Sequence, residues 1–119
     1  MARKISYYRR KADRLMQEWG HRTYKQCMVC GRELSCLHHY YPKSKSSVLR
    51  YDEDNLIPIC NGCHLRHHTG DPSIHNRVNE IKGEKWLKRL TQKKETHIKI
   101  NIGYYKKIIE KYKSKQPNT

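Results

Sequence analysis

The sequence predicts an α+β protein in which a small core, held together by a four-cysteine zinc site, is flanked by helices at both ends. Three observations support this fold class. The 119-residue chain is 35% hydrophobic and contains no Phe, so apolar burial alone would give it a thin core. Four of its five cysteines form two Cys-x-x-Cys pairs, which is the spacing of a metal site. Apolar residues at helical spacing occupy both ends of the chain, whose length suits one compact domain.

The first predicted element is a basic amphipathic helix. Its larger apolar residues recur at steps of three and four between Ile5 and Trp19, and Arg and Lys fill many of the positions between them. Gly20 is expected to end this helix. The predicted domains are the basic helix at residues 1–20, a metal-held core at residues 21–70 and a C-terminal helical extension at residues 71–119.

The core is predicted to contain two short strands followed by a helix. Pro58 cannot donate to a sheet ladder, so the apolar segment that contains it is expected to be an edge or terminating strand. Gly70 is expected to close the helix that follows. In chain order, the predicted elements are a turn at residues 27–31, a strand at 34–39, a mobile basic loop at 43–47, a second strand at 55–59 and a helix at 60–68.

The C-terminal extension is predicted to be helical. Residues 71–82 begin with Asp-Pro, the cap and first-turn chemistry of a helix, and continue at helical spacing. Residues 86–90 suggest a second short helix. Residues 98–102 alternate as in a strand, whereas residues 105–112 are spaced for a helix that begins near Asn101, and both interpretations stay open here.

The two cysteine pairs predict a structural zinc site. A two-residue gap lets one tight turn present two thiolates to the same ion, and two such turns complete a tetrahedron. Paired disulfides are the alternative, but the charged N-terminus has no apolar signal segment, which favours a reducing, intracellular compartment. Cys36 is left over and is interpreted as a small buried hydrophobic residue. The predicted zinc ligands are Cys27, Cys30, Cys60 and Cys63.

A second, open metal site is predicted from histidines in the segment that the cysteines enclose. His64 and His68 lie one helical turn apart and share a helix face, and His38 can supply a third ligand from the preceding strand. Three protein ligands leave positions for water and substrate, which is typical of a catalytic site. His39 is then the candidate general base, and Asn55 is expected to orient His39 or its loop. The ion is left open among Zn²⁺, Mn²⁺, Ni²⁺, Co²⁺ and Mg²⁺.

The other histidines are given weaker roles. His67 is expected to point away from the face that His64 and His68 share, and to contact phosphate or solvent. The histidines interpreted as surface residues are His21, His75 and His97.

The charge of the chain predicts a nucleic-acid partner. Lys and Arg total 26 against 11 acidic residues, a formal net charge of +15, and a polyanion would offset this self-repulsion. No apolar stretch approaches the roughly 20 residues that span a bilayer, so the protein is expected to be soluble and cytoplasmic, with no membrane partner. The candidate DNA contacts, mainly to the phosphate backbone, are Arg9, Arg10, Lys43, Lys45, Arg50, Arg66 and His67.

The order of these residues resembles a known family pattern. C-x2-C-G, then His-His, then D-N-L-x-P-x-C-x2-C-H-x3-H, over residues 27–68, is similar to the HNH endonucleases, which have a zinc-containing ββα-metal core. The resemblance implies that His38 takes a metal-ligand position often held by Asp, that His39 is the general base and that Asn55 is the middle residue of the family name. The two histidines of the last motif resemble the helix histidines of colicin-type nucleases.

The flanking segments resemble a narrower group. KADRL in the N-terminal helix and RYDEDNL before the second strand are similar to the phage recombination family called NinG or Rap, which is linked to branched DNA. That group is expected to have Asn at the position of His64. The histidine found here makes the chain more similar to ordinary HNH nucleases. The likeness implies a phage-encoded protein that acts in DNA recombination, processing or packaging in the host cytoplasm.

Taken as a whole, the sequence predicts a metal-dependent HNH endonuclease that hydrolyses DNA phosphodiester bonds. The alternative is a non-catalytic zinc-finger DNA-binding protein, in which the four cysteines matter and the histidines are incidental. A basic subunit of a larger assembly is a third interpretation, and a homodimer or a phage assembly partner is left open. The enzyme is favoured because a binding module needs no base beside an open metal site.

Overall fold

The computed structural model describes residues 2–42 and 47–115, and in these residues the chain forms five α-helices and a two-stranded sheet. No helix in the described ranges combines the length and the apolar character needed to cross a membrane. In chain order the elements are α1 (Ile5–Thr23), β1 (Cys36–His39), β2 (Leu56–Ile59), α2 (Asn61–His68), α3 (Pro72–Lys82), α4 (Glu84–Lys94) and α5 (Ile102–Ser114), with a 3-10 turn at Glu53–Asn55 before β2.

The sheet and α2 form a ββα unit at the centre of the chain. Strand β1 pairs antiparallel with β2, with Cys36 opposite Ile59 and His39 opposite Leu56. Strand β2 is buried along its whole length and continues into α2 through Cys60. The α+β prediction is therefore confirmed: two short strands and a helix form the core, and longer helices precede and follow it in the sequence.

A side chain from α1 completes the outer edge of β1. Leu37 lies opposite Pro58, which has no N–H to donate to a sheet ladder. The Leu37 N–H donates to Gln17 Oε1 at 2.9 Å, and Gln17 Nε2 donates to the Leu37 carbonyl at 3.0 Å. Helix α1 is thus attached to the strand that carries His38 and His39.

Gly20 does not end α1, and that prediction was wrong. The helix continues to Thr23, and Gly20 is buried within it. A Cβ at residue 20 would lie only 2.5 Å from Cγ and Cδ1 of Leu37. The physical role of this glycine is therefore to let α1 approach β1 closely, a requirement set by a residue 17 positions further along the chain.

Helices α1 and α5 pack against each other, so both ends of the described chain belong to one apolar cluster. The Trp19 and Tyr112 rings lie 5.4 Å apart between their centroids. Helix α5 begins at Ile102, and Asn101 caps it by accepting a hydrogen bond from the Tyr104 N–H at 2.8 Å. The helical interpretation of this segment is confirmed. The buried members of the cluster are Ala12, Leu15, Met16, Trp19, Leu37, Tyr51, Leu56, Tyr105, Ile109 and Tyr112.

The predicted helices of residues 71–90 are present as α3 and α4. Asp71 caps α3 by accepting a hydrogen bond from the Ser73 N–H at 2.9 Å. Gly83, at φ +90°, separates the two helices in a conformation that favours glycine. Their apolar faces contribute Val78, Trp86 and Leu90 to a second buried cluster.

An acidic turn before β2, residues 52–54, is held by both of the last helices. Trp86 Nε1 of α4 donates to the Asp54 carbonyl at 2.9 Å. The Glu53 carboxylate pairs with two lysines: it lies 3.0 Å from Lys111 of α5 and 3.1 Å from Lys115. These contacts fix the start of β2 relative to the helical extension.

We expect Gly20→Ala to lower the free energy of unfolding by about 1–3 kcal/mol, because the added methyl group must displace the buried Leu37 side chain. Chemical denaturation measures the change. Gly62→Ala is the control, since the nearest atom to a Cβ at residue 62 is 4.0 Å away. Equal stabilities for Gly20→Ala and the unmodified chain would show that the approach of α1 to β1 is not tight.

Candidate metal centre and histidine cleft

Four cysteine side chains converge on one point. The Sγ atoms of Cys27, Cys30, Cys60 and Cys63 all lie within 4.8 Å of one another, and each cysteine is a free thiol. In a tetrahedral zinc site with Zn–S bonds of about 2.3 Å, neighbouring sulfurs are about 3.8 Å apart. The Cys30 and Cys60 sulfurs are 3.5 Å apart. The four thiols therefore fit a tetrahedral metal ion, and no disulfide joins them in this structure.

Local backbone geometry explains why the two cysteine pairs point inward. In the first pair, the Gly31 N–H donates to the Cys27 carbonyl at 3.0 Å and Gly31 adopts φ +80°, which closes a tight turn. In the second pair, Cys60 is the N-cap of α2, and its sulfur accepts a hydrogen bond from the Cys63 N–H at 3.4 Å. This hydrogen bond, together with hydrogen bonds from the neighbouring thiols, lowers the pKa of Cys60, which favours the thiolate that binds metal.

Three imidazoles form a second convergent group beside the cysteine cluster. One ring nitrogen from each of His38, His64 and His68 lies within 4.8 Å of the others, and the Nε2 atoms of His64 and His68 are 2.9 Å apart. His38 comes from β1, while the other two come from one face of α2. Imidazole nitrogens bound to one ion at about 2.1 Å are roughly 3.4 Å apart, so the three side chains fit one metal ion.

The protonation of His38 suits a metal ligand. Burial, followed by the nearby His67, His64, His39 and His68, lowers the pKa of His38 to about 3. Burial also lowers the pKa of His64. Both rings are therefore neutral near pH 7, and neutral imidazole is the form that coordinates metals.

His39 projects from the same strand but is held by a different partner. Its Nε2 lies 2.8 Å from the backbone carbonyl oxygen of Arg50. A carbonyl can only accept a hydrogen bond, so Nε2 carries the proton and the lone pair of the neutral ring is on Nδ1.

Asn55 lies at the base of the connection between the two strands and is fully buried. Its Oδ1 accepts a hydrogen bond from the Tyr41 N–H at 2.8 Å. Its Nδ2 donates to the carbonyls of Tyr41, at 3.1 Å, and of Leu49, at 3.0 Å. Asn55 therefore joins the backbone of Tyr41, two residues after His39, to the backbone of Leu49, the residue before Arg50.

The histidines line a cleft of about 550 Å³. His67 also lines it, with its ring 4.8 Å from that of His38, so the expectation that His67 points away was wrong. The reason is that His64 and His67 are three residues apart and so lie side by side on α2. The other lining residues are Gln17, Cys36, Leu37, His38, His39, Pro42, His64 and His68.

The histidines interpreted as surface residues divide into two groups. His21 and His97 are exposed. His75 is half-buried, and its ring centroid lies 4.1 Å from that of Tyr40, so its interpretation as a surface residue was wrong. Burial lowers the pKa of His75. This burial arises because His75 lies on α3, whose apolar face packs into the protein.

The candidate DNA contacts differ in their surroundings. Arg10 is exposed on α1 and Arg9 is half-buried. Arg66 is exposed, and its guanidinium lies 3.1 Å from the Asp71 carboxylate. Arg50 is unlike the others because both its Nε and Nη2 donate to Asp13, so its guanidinium is held within the fold, and its assignment to DNA stays a prediction. Two further candidates, Lys43 and Lys45, lie outside the described residues.

Two residues that the sequence interpretation left without a role contact the site. The Cys36 sulfur lies 3.7 Å from His64 Nδ1. The other ring nitrogen of His64, Nε2, faces His68. Cys36 precedes His38 by two residues, so the alternation of side chains along a strand places both on one face of β1. Gln17 reaches the cleft from α1, and only the tertiary packing of that helix reveals it.

Comparison with known proteins identifies the segment that holds both convergent groups. Residues 27–70 match a family model described as HNH endonuclease. A curated relative is the mitochondrial DNA mismatch repair protein mutS homolog of Sarcophyton glaucum, which is 36% identical over 52 residues. That match covers 40% of this chain and 5% of the relative's length. No solved structure matches the chain. The ββα unit with its cysteine cluster agrees with an HNH core.

We expect Cys30→Ser to lower the free energy of unfolding by more than about 4 kcal/mol and to abolish tight metal binding by the four-thiol group, because loss of a structural metal is among the largest single-site effects. Metal content and thermal unfolding with and without a chelator measure this. A chelator should destabilise the unmodified chain and leave Cys30→Ser unchanged. Cys36→Ser is the control, because Cys36 lies outside the four-thiol group. A Cys30→Ser chain with normal metal content and stability would contradict the assignment.

Proposed function

Because residues 27–70 match the HNH endonuclease family, we propose that this chain is a metal-dependent endonuclease that hydrolyses DNA phosphodiester bonds. The observation that carries the proposal is the pairing of two features in one cleft. Three imidazoles, from His38, His64 and His68, converge within 4.8 Å, and in the same cleft the Arg50 carbonyl holds His39 through its Nε2 at 2.8 Å.

The histidines of the cleft, Asn55 and the four cysteines have distinct parts in this reaction. His38, His64 and His68 hold the catalytic ion, which when bound offsets negative charge on the phosphate and the leaving oxygen. His39 removes a proton from the attacking water at Nδ1. Asn55 keeps the strand connection in the shape that presents His39. The four cysteines bind a structural zinc ion, and the catalytic ion is Zn²⁺, Mn²⁺, Ni²⁺, Co²⁺ or Mg²⁺.

One face of α1 offers a path for the DNA backbone into the cleft. Tyr7, Arg10 and Arg14 line a shared surface groove with Lys11. Gln17 continues the same face at the next helical step and lines the histidine cleft. Exposed guanidinium and ammonium groups in such a row suit successive phosphates of a DNA strand. His67, inside the cleft, is suited to a phosphate close to the cleaved bond.

The proposal extends to the biological setting of the protein. The likeness of KADRL and RYDEDNL to the NinG or Rap group supports a phage-encoded protein acting in recombination, processing or packaging of DNA in the host cytoplasm. The relative from Sarcophyton glaucum is named a mitochondrial DNA mismatch repair protein, which also concerns DNA. A homodimer or an assembly partner stays a prediction.

We expect His39→Ala to lower kcat for DNA cleavage by at least about 100-fold, because general-base catalysis contributes a factor of this size. Nicking and linearisation of supercoiled DNA, measured with each candidate ion, provide the readout. His97→Ala is the control, since His97 is exposed outside the cleft. Full activity of His39→Ala would refute the base assignment, and no cleavage by the unmodified chain with any ion would favour the non-catalytic DNA-binding alternative.

We expect Arg10→Gln/Lys11→Gln to weaken DNA binding and to reduce the slope of log K against log salt by about 1.8, since each lost phosphate contact removes about 0.9. Fluorescence anisotropy over a range of salt concentrations measures the slope. Lys85→Gln/Lys88→Gln removes the same charge from α4 and is expected to keep the slope. Substitution is used instead of deletion because α1 carries buried core residues. An equal loss in both variants would rule out a contact path along α1.

A further inference from the structure

The guanidinium of Arg50 is held by a carboxylate of α1. Arg50 Nε donates to Asp13 Oδ1 at 3.0 Å, and Arg50 Nη2 donates to Asp13 Oδ2 at 2.5 Å. Tyr51 adds a hydrogen bond from its hydroxyl to Asp13 Oδ1 at 2.7 Å. The two charged side chains are only 19% and 30% exposed. Such a two-bond contact away from bulk water fixes the Arg50 side chain more firmly than an exposed ion pair does.

The backbone of the same residue holds His39. The Arg50 carbonyl accepts the hydrogen bond from His39 Nε2 at 2.8 Å. The preceding carbonyl, that of Leu49, accepts from Asn55 Nδ2 at 3.0 Å. This short turn is therefore anchored twice. Asn55 holds its backbone on one side, and Asp13 holds it on the other through the Arg50 side chain.

The surroundings of Asp13 exclude a direct part in the chemistry. Asp13 is not among the residues that line the histidine cleft, and its carboxylate oxygens are engaged by Arg50 and Tyr51. Burial and Asp13 raise the pKa of Tyr51, so its hydroxyl stays protonated and continues to donate. Any influence of Asp13 on the reaction must therefore pass through the turn that carries residues 50 and 51.

We propose that Asp13 is a positioning residue of the reaction: by binding the Arg50 side chain it fixes the Arg50 carbonyl that binds His39 Nε2 and holds the imidazole ring in place. The inference rests on the proposed role of His39 as the base. It assigns Arg50 to the alignment of His39 and not to DNA. It also gives α1 a part in catalysis in addition to its basic face, because Asp13 lies on α1. Residue 13 lies within the KADRL segment, and residue 50 begins the RYDEDNL segment.

Asp13→Asn tests this inference because it keeps the shape of the side chain and removes its charge. Nitrogen-15 NMR of the zinc-loaded chain reports the His39 tautomer without any need for activity. We expect the unmodified chain to show His39 protonated on Nε2, and Asp13→Asn to show a mixture of tautomers and faster exchange of the Nε2 proton. We also expect kcat to fall about 10-fold or more with KM little changed, as loss of a partner that orients a functional histidine does elsewhere.

Glu18→Gln is the matched control on the same helix. Glu18 pairs with Arg14 at 3.0 Å, but both side chains are largely exposed, so the His39 tautomer and kcat should stay as in the unmodified chain. Asp13→Glu keeps the charge and is expected to restore part of the activity lost in Asp13→Asn. Thermal unfolding and zinc content, measured on every variant, show whether the fold persists.

Two results would overturn the inference. One is a His39 tautomer in Asp13→Asn identical to that of the unmodified chain, whatever happens to kcat, because Asp13 would then act on stability alone. The other is an Asp13→Asn chain with an altered tautomer and unchanged kcat, while His39→Ala is inactive. Failure of the proposed function is distinguishable from both, because it shows as full activity of His39→Ala or as no cleavage by the unmodified chain.

Discussion

The convergence of four thiols fixes the position of α2, and the rest of the site depends on it. The cysteine sulfurs lie within 4.8 Å of one another and join the turn at residues 27–31 to the first turn of α2. His64 follows Cys63 directly, and His68 lies one helical turn further on. With only 35% hydrophobic residues, the chain relies on this cluster to bring α2 against β1, where His38 completes the three imidazoles.

A second constraint comes from α1, which packs directly against the ββα unit. Gln17 pairs with the backbone of Leu37 on β1, Gly20 lets the helix lie close to that strand, and Asp13 binds Arg50. Because one rigid helix carries these contacts and an exposed basic face, the DNA contacts that we propose there are held in a fixed position relative to His39. This coupling suits a nuclease, in which the bound phosphate must lie close to the base.

The sequence predicted those parts of the site that depend on local spacing. Two Cys-x-x-Cys turns and an HxxxH pair on one helix place their ligands through short-range geometry, and the structure brings both groups together. Features that depend on distant packing were missed. Gly20 was taken as a helix stop because its contact with Leu37 is invisible in the sequence, and the ion pair of Arg50 was missed because Asp13 is 37 residues away. The roles of the individual histidines in catalysis stay predictions.

X-ray absorption at two metal edges tests most directly whether the three imidazoles share one ion. The chain is loaded with one zinc ion and then titrated with nickel. Sulfur neighbours at the zinc edge and imidazole neighbours at the nickel edge are the predicted result, with nickel lost and zinc retained in His68→Ala. A chain that binds one ion through four sulfurs and shows no stoichiometric binding of a second would contradict the account.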